Sequence, residues 1–385
     1  MTSSLLSRLL ARTLLALSLC SAPLLARAGD VEFGQVASHT NPTSATLGKG
    51  MTVGIQVYFD KVNASGGILG SKLTLVTLDD DLQAAKMLEM TQQLIDKQSV
   101  VGLLGFANSA GLAEIARQDL PRKNDIALIA PLQGEKNIVG AANVFPLRSS
   151  YSDEVAALLK ETKKWDKDTL AVVNMNTAFG PPIAQVASQL SGPQGVRIVT
   201  QNVLDVAPDK LDASIRNAIA AIKQTNPKAI LLLAAGKPAA EFIKALRETP
   251  AGSLQIYGLS VLSNDVLVNA IGKEKARGIV ISQALPFPFV PSISVITEYQ
   301  NDMKKYAPGE PLSFPSLEGY LGAKIAAEGV RRAGKNPTRA ALVKALSSLG
   351  EYNLGGMFVN YSAAKRSGWG GVELSIINAS GNLQK

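Results

Sequence analysis

The only cysteine, Cys20, and the only histidine, His39, bound the chemistry open to this 385-residue chain. One cysteine cannot form an internal disulfide or a cysteine-ligated metal site. A serine–histidine mechanism would have His39 as its sole base. The sequence contains no Walker A loop, no GxSxG, no HExxH and no Cys–His pair. Asp79-Asp80-Asp81 brings three carboxylates together. Hard cations want oxygens at several defined offsets, and no glycine or distal glutamate completes such a loop. A helix cap beside a solvated strand end accounts for the triplet. Gly48-Lys49-Gly50-Met51-Thr52-Val53-Gly54 has GxGxxxG spacing and does not tightly follow a strand, so it reads as helix packing. No metal site and no cofactor is expected. Asn108-Ser109-Ala110-Gly111 remains. A helix start offers free N–H groups and partial positive charge that suit a carboxylate, and Ser109 adds a hydroxyl. Plain helix capping is the commoner role for such residues, and both readings stand at this point. His39 falls in the first strand–helix loop, where a lone histidine is usually incidental.

The elements that must position these residues follow an alternating pattern. Short runs rich in Val, Ile and Leu occupy 31–37, 73–78, 100–104, 126–130, 170–175, 196–203, 229–234, 255–259 and 278–282. Runs of this length and composition read as buried parallel strands. Amphipathic stretches lie between them. Asp81 is expected to cap a helix over 82–98, Asn108 or Ser109 one over 111–122, and Asp209 one over 215–225 that Asn226-Pro227 stops. Ser263 or Asn264 opens another, ending near Gly272. Repeated strand–helix–strand units predict parallel sheets covered by helices. The fold class is therefore α/β, with two doubly wound parallel-sheet lobes. Pro286-Phe287-Pro288-Phe289-Val290-Pro291 is too proline-rich for a helix or central strand and reads as a crossing segment. Three helices over 292–307, 317–333 and 338–349 and two short strands over 357–361 and 372–378 complete the pattern. In open α/β sheets ligands sit beyond the carboxyl ends of the strands. That rule selects the loops 38–43, 79–81, 106–109 and 132–135 in one lobe, and 176–179, 236–237 and 260–262 in the other.

Composition narrows the setting. Arg8 and Arg12, a short apolar run over 14–25 broken by Pro23, and Ala26-Arg27-Ala28 form a secretory signal pattern, with cleavage expected after Ala28. Leu19 before Cys20 argues against lipid attachment. Cleavage removes three of the 39 basic residues and none of the 31 acidic ones, leaving 36 − 31 = +5. The positive charges are scattered and no nucleic-acid motif is present, so nucleic acid is excluded as a partner. No later stretch approaches the ~18 apolar residues of a membrane span, and stable membrane insertion is excluded too. The remaining length of about 357 residues exceeds what one core supports, which also argues for two domains.

Taken in order, several segments carry a resemblance. They are Leu47-Gly48-Lys49-Gly50, Asn63-Ala64-Ser65-Gly66-Gly67-Ile68-Leu69-Gly70, Phe145–Asp153 (FPLRSSYSD), Ala178-Phe179-Gly180, Ser316–Tyr320 and Asn353-Leu354-Gly355-Gly356. Each is weak alone, but together the chain resembles the type I periplasmic binding proteins of the branched-chain amino acid transport group over nearly its whole mature length. The resemblance implies two lobes joined by a three-segment hinge. Residues 1–28 would be signal peptide, 29–148 with 284–354 the first lobe, and 149–283 with 355–385 the second. It further implies a periplasmic protein, not an enzyme, that closes on a small molecule and delivers it to the permease subunits of an ABC importer. A sensor that docks to a membrane signalling protein would look the same. The implied ligand contacts are Asn108, Ser109 and the loop Leu132-Gln133-Gly134 for a carboxylate, with Phe179 as an aromatic platform. The strand end near Ser260 carries no acidic residue for an ammonium, and Gly236-Lys237 stands where an aromatic pair is usual. Lys237, Phe106, Phe179 and the Pro286–Phe289 segment, with Phe287, would suit a hydrophobic or aromatic carboxylate.

Overall fold

A computed structural model describes residues 29–41, 44–362 and 366–385. The expected signal segment, with Cys20, lies outside them, as does Thr43 of the first candidate loop. The first sheet is wholly parallel and contains β1 (Val31–Val36), β2 (Leu73–Leu78), β3 (Val100–Leu104), β4 (Ala127–Ile129) and β5 (Val144–Phe145) in the order β2-β1-β3-β4-β5. The second contains β6 (Thr169–Met175), β7 (Arg197–Leu204), β8 (Ala229–Leu233), β9 (Gln255–Gly258) and β10 (Val280–Gln283), running β7-β6-β8-β9-β10 in parallel. All five residues of β8 are buried, as expected of a central strand covered on both faces. Each sheet reverses strand order once, between β1 and β3 and between β6 and β8. Those reversals open a crevice at the carboxyl ends of the strands.

Several helix ends differ from expectation: the helix expected over 111–122 is two, Ser109–Arg117 and Leu120–Lys123, the one expected from 317 starts at Phe314, and two caps are not the expected ones. Asp81 does not cap a helix: Asp81 and Leu82 both have positive φ (49° and 59°), and the helix starts at Ala84. The Asp81 amide instead donates to Asp79 Oδ1 (2.9 Å) and the Leu82 amide to Asp80 Oδ1 (3.0 Å), which closes a tight loop. Likewise Lys210, not Asp209, precedes the helix Leu211–Thr225, although Asn226 ends it in the left-handed conformation. Ser263 and Thr338 cap their helices through side-chain oxygens, as expected.

The GxGxxxG segment is a packing device. It lies in the helix Ala45–Ala64, whose backbone touches the helix Phe314–Ala333. A Cβ on Gly54 would sit 1.9 Å from the Ser316 carbonyl oxygen, and one on Gly319 would sit 2.1 Å from that of Met51. Gly48 presses the same way on the Ser38 carbonyl at 2.0 Å. Only glycine permits this approach.

Three connections join the lobes, and they are stitched to one another. The Ser149 amide donates to the Ala284 carbonyl (3.1 Å), the Trp369 amide to the Leu147 carbonyl (2.8 Å), and Ser149 Oγ lies 2.5 Å from the carbonyl oxygens of both Trp369 and Gly371. The third connection therefore passes near 369–371, later than the expected break at 354/355. Gly355-Gly356 is instead the turn of a hairpin between β11 (Gly350–Asn353) and β12 (Phe358–Tyr361), both glycines having positive φ. Asn353 Oδ1 accepts from both glycine amides (2.9 and 2.7 Å). Met357, Val359 and Tyr361 are buried in the core beneath the first sheet. Past β13 (Arg366–Ser367) the chain returns, and β14 (Glu373–Ile377) and β15 (Leu383–Gln384) add antiparallel strands to the second sheet.

Candidate functional site

A cleft of about 1080 Å³ separates the lobes at the carboxyl ends of both sheets. Asn108, Ser109, Leu132, Gln133, Phe179 and Ser260 line it. Gly134, Lys237 and Phe287 do not. Gly134 faces the hinge, where its carbonyl accepts from the Tyr151 amide (2.9 Å). Lys237 is exposed in the first turn of the helix Gly236–Arg247, and only Ala235 of that loop reaches the cleft. Phe287 is buried behind Phe289 and Phe314, which take its place in the lining. Phe106 lies in the core of the first lobe.

The polar groups of the first lobe are largely committed. Asn108 caps the helix Ser109–Arg117: its side-chain oxygen accepts from the Gly111 amide (3.2 Å), and its Nδ2 donates to Asp80 Oδ2 (2.7 Å). It positions the loop and has little left for a ligand. Gln133 Oε1 accepts from the amides of Gly134 (2.8 Å) and Glu135 (2.9 Å). Ser109 is exposed at the helix start. His39 joins the loop framework, with Nε2 2.9 Å from Thr52 Oγ1 and its amide donating to Asp79 Oδ1 (3.1 Å). The incidental reading of His39 and the capping reading of Asn108 are the ones the geometry favours.

Two hydroxyls stand out against that background. Ser44 Oγ, before the helix Ala45–Ala64, and Thr177 Oγ1, after β6, are buried and have no hydrogen-bond partner. Both line the cleft, one from each lobe. Ser38 Oγ, Asn174 Oδ1, Asn360 Oδ1 and Arg366 Nε are likewise unpaired but do not line the cleft, whereas Ser44 and Thr177 sit where a ligand or water in the cleft can supply the partner. Phe179 stands beside Thr177, its ring meeting Tyr151 edge-on at 5.2 Å.

The cleft floor carries buried charge. Arg148, from the first connection, is 8 % exposed and grips Glu318 side-on, with Nε to Oε1 at 3.0 Å and Nη2 to Oε2 at 2.8 Å. Its Nη1 lies 3.4 Å from Ser260 Oγ in the second lobe. Ser260 in turn donates its amide and hydroxyl to Glu154 (2.8 and 2.9 Å), and Ser282 Oγ also donates to Glu154 (2.6 Å). Burial works against the Arg148 charge, but Glu318 outweighs it and holds the guanidinium firmly protonated. Burial pushes the Glu154 carboxyl above the ordinary range, with Arg148 and the serine donors opposing. Sequence reasoning quoted Arg148 within FPLRSSYSD but gave it no role at the site. A cation inside a hinge segment flanked by Phe145 and Leu147 was the available signal.

Two parallel-sheet lobes closing on a cleft with unpaired hydroxyls on opposite walls define a two-lobed solute-capture protein. The periplasmic binding protein model matches residues 30–378, and the chain belongs to that family. It is 26 % identical to the Leu/Ile/Val-binding protein BraC3 of Rhizobium johnstonii over 337 residues, 86 % of each chain. Among solved structures it resembles a substrate-binding periplasmic protein from Ralstonia solanacearum, with TM-score 0.82 and 25 % identity over 92 % of this chain and 99 % of that one. A branched-chain amino acid ABC transporter protein from Thermus thermophilus with bound valine shares the fold at TM-score 0.76, with 18 % identity over 92 % and 94 % of the two chains. The family binds solutes and is not enzymatic. Among the described residues no helix is long and apolar enough to cross a membrane.

Proposed function

We propose that this protein works in the periplasm as the solute-receiving component of an ABC importer, closing its lobes on an amino acid or related small carboxylate and presenting it to permease subunits. The observation that carries this reading is the pair of orphan hydroxyls, Ser44 Oγ and Thr177 Oγ1, facing one cleft from opposite lobes. A ligand that hydrogen-bonds both would hold the lobes together. Arg148 at the floor favours an anion, and the exposed start of the helix at Ser109 adds unpaired amides of the same preference. The relative named for Leu, Ile and Val binding agrees with a small ligand that has an apolar part. A thermal-shift screen of amino acids and organic acids tests the reading. A ligand present at ~100 times its dissociation constant adds ~2.7 kcal/mol of stability. Failure of every carboxylate to stabilise the protein would exclude the carboxylate reading.

A further inference from the structure

We propose that the solute is an apolar carboxylate without an α-ammonium group, its carboxylate held by Arg148 and its tail by Phe289 and Phe314. This rests on the carboxylate-capture reading and narrows it. A guanidinium has five N–H donors. Arg148 directs two at Glu318 and one, at 3.4 Å, towards Ser260, so two remain, one on each terminal nitrogen. Arg148 lines the cleft, and its free N–H pair suits an end-on carboxylate.

An ammonium beside that carboxylate would have to pair with one of two lining carboxylates that already accept hydrogen bonds within their own loops. The described acidic residues lining the cleft are Glu135 and Asp265. Glu135 accepts from the Ile138 amide (3.2 Å) and from Asn137 Nδ2 (3.1 Å), and exposed Asp265 accepts from Asn264 Nδ2 (3.0 Å). Glu154 lies behind Ser260, accepts from three donors, and does not line the cleft. Arg148 and Glu318 balance one another at 2.8 Å, so that pair offers an ammonium no net negative charge. Removing an unpaired ammonium from water is costly.

The tail subsite is independently visible. Phe289 is 43 % exposed and lines the cleft. It meets Phe314 edge-on with centroids 6.1 Å apart, and buried Phe287 backs both at 5.1 and 6.0 Å. A rigid two-ring ledge of this kind accepts an aromatic or branched aliphatic group.

Isothermal titration of the mature protein would compare 3-phenylpropanoate with phenylalanine, 4-methylpentanoate with leucine, and 3-phenylpropanoate with its amide. Each acid should bind on the order of 100-fold more tightly than its amino acid, and the amide should not bind measurably. Leucine or phenylalanine binding as tightly as its deaminated counterpart would overturn this inference and leave carboxylate capture standing. An amide as good as its acid, or no binding by any acid or amino acid, would overturn both. The Arg148→Gln/Glu318→Gln double variant removes both buried charges together. If folded, it should bind 3-phenylpropanoate at least about 30-fold more weakly, and wild-type affinity would remove Arg148 as the anchor. Phe289→Ala should weaken 3-phenylpropanoate about fivefold or more without affecting acetate, and equal loss for both would remove the ledge.

Discussion

Two of the charge clusters in this molecule differ in what they leave unspent. On the outside of the first lobe, Lys61 Nζ sits 2.7 Å from both Glu298 and Asp302, Lys324 also pairs with Glu298, and Tyr320 donates to Asp302. The side chains of Lys61 and Glu298 remain 32 % and 28 % exposed and those of Lys324 and Asp302 17 % and 13 %, so water reaches part of the set and each charge has more than one partner or a wet neighbour. At the hinge, the side chains of Arg148 and Glu318 are 7 % and 0 % exposed, and Arg148, which lines the cleft, has two N–H donors without a protein partner. A saturated, screened cluster ties helices together. A buried, unsaturated one is where a ligand gains most from pairing.

That contrast breaks most visibly if one hinge partner is deleted. Glu318→Gln leaves a buried guanidinium without its counter-ion and should cost about 3–5 kcal/mol in urea unfolding, much of it recovered in the double variant with Arg148→Gln. A loss below 1 kcal/mol would place the hinge pair with the surface cluster. Phe179→Ala tests the wall opposite the first lobe. Removing the ring should weaken ligand binding by about 1–3 kcal/mol with little change in stability, and unchanged affinity in titration would take Phe179 out of the site.

Lys324→Met probes the outer cluster. It should change stability by no more than about 1 kcal/mol, less at high salt, and leave ligand affinity intact. A larger, salt-insensitive loss would erase the distinction. The smallest effect concerns pH. Glu154 has a folded-state pKa raised chiefly by burial, so the folded protein holds its proton more readily than the unfolded chain. Its contribution to stability is complete below the unfolded glutamate value of about 4.3 and is lost as pH rises through the folded value. Glu154→Gln should flatten that part of the stability–pH curve, leaving Arg148, Ser260 and Ser282 as the groups that face the position. An unchanged slope would mean that Glu154 does not titrate there.

Much of the fold was legible because its signals are local. β2 and β3 fall where their apolar runs do, and Asn226, Ser263 and Thr338 mark helix ends by short-range hydrogen bonding or backbone conformation. Where local signals are ambiguous, the reading slipped. Gly355-Gly356 says that the chain turns, and only the pairing of β11 with β12 says that it turns into a hairpin and stays in the first lobe. Asp81 looks like a cap, but three consecutive aspartates offer several acceptors and the loop uses Asp79 and Asp80. Phe287 and Phe289 are indistinguishable by type and spacing, yet one supports and the other lines.

The sequence by itself determined that the chain is α/β and two-lobed, that known nucleophile motifs are missing, and that the loops at 106–109, 132–135, 176–179 and 260–262 were candidates to face a cleft. Periodicity, capping and composition act within a few residues, so they survive in one dimension. The tertiary structure alone decided that Asn108 is spent on Asp80, that Ser44 and Thr177 are left without partners across the cleft, and that Arg148 meets Glu318, 170 residues away, with donors to spare. Whether a polar group is satisfied depends on everything packed around it, and that inventory exists only once the chain has folded.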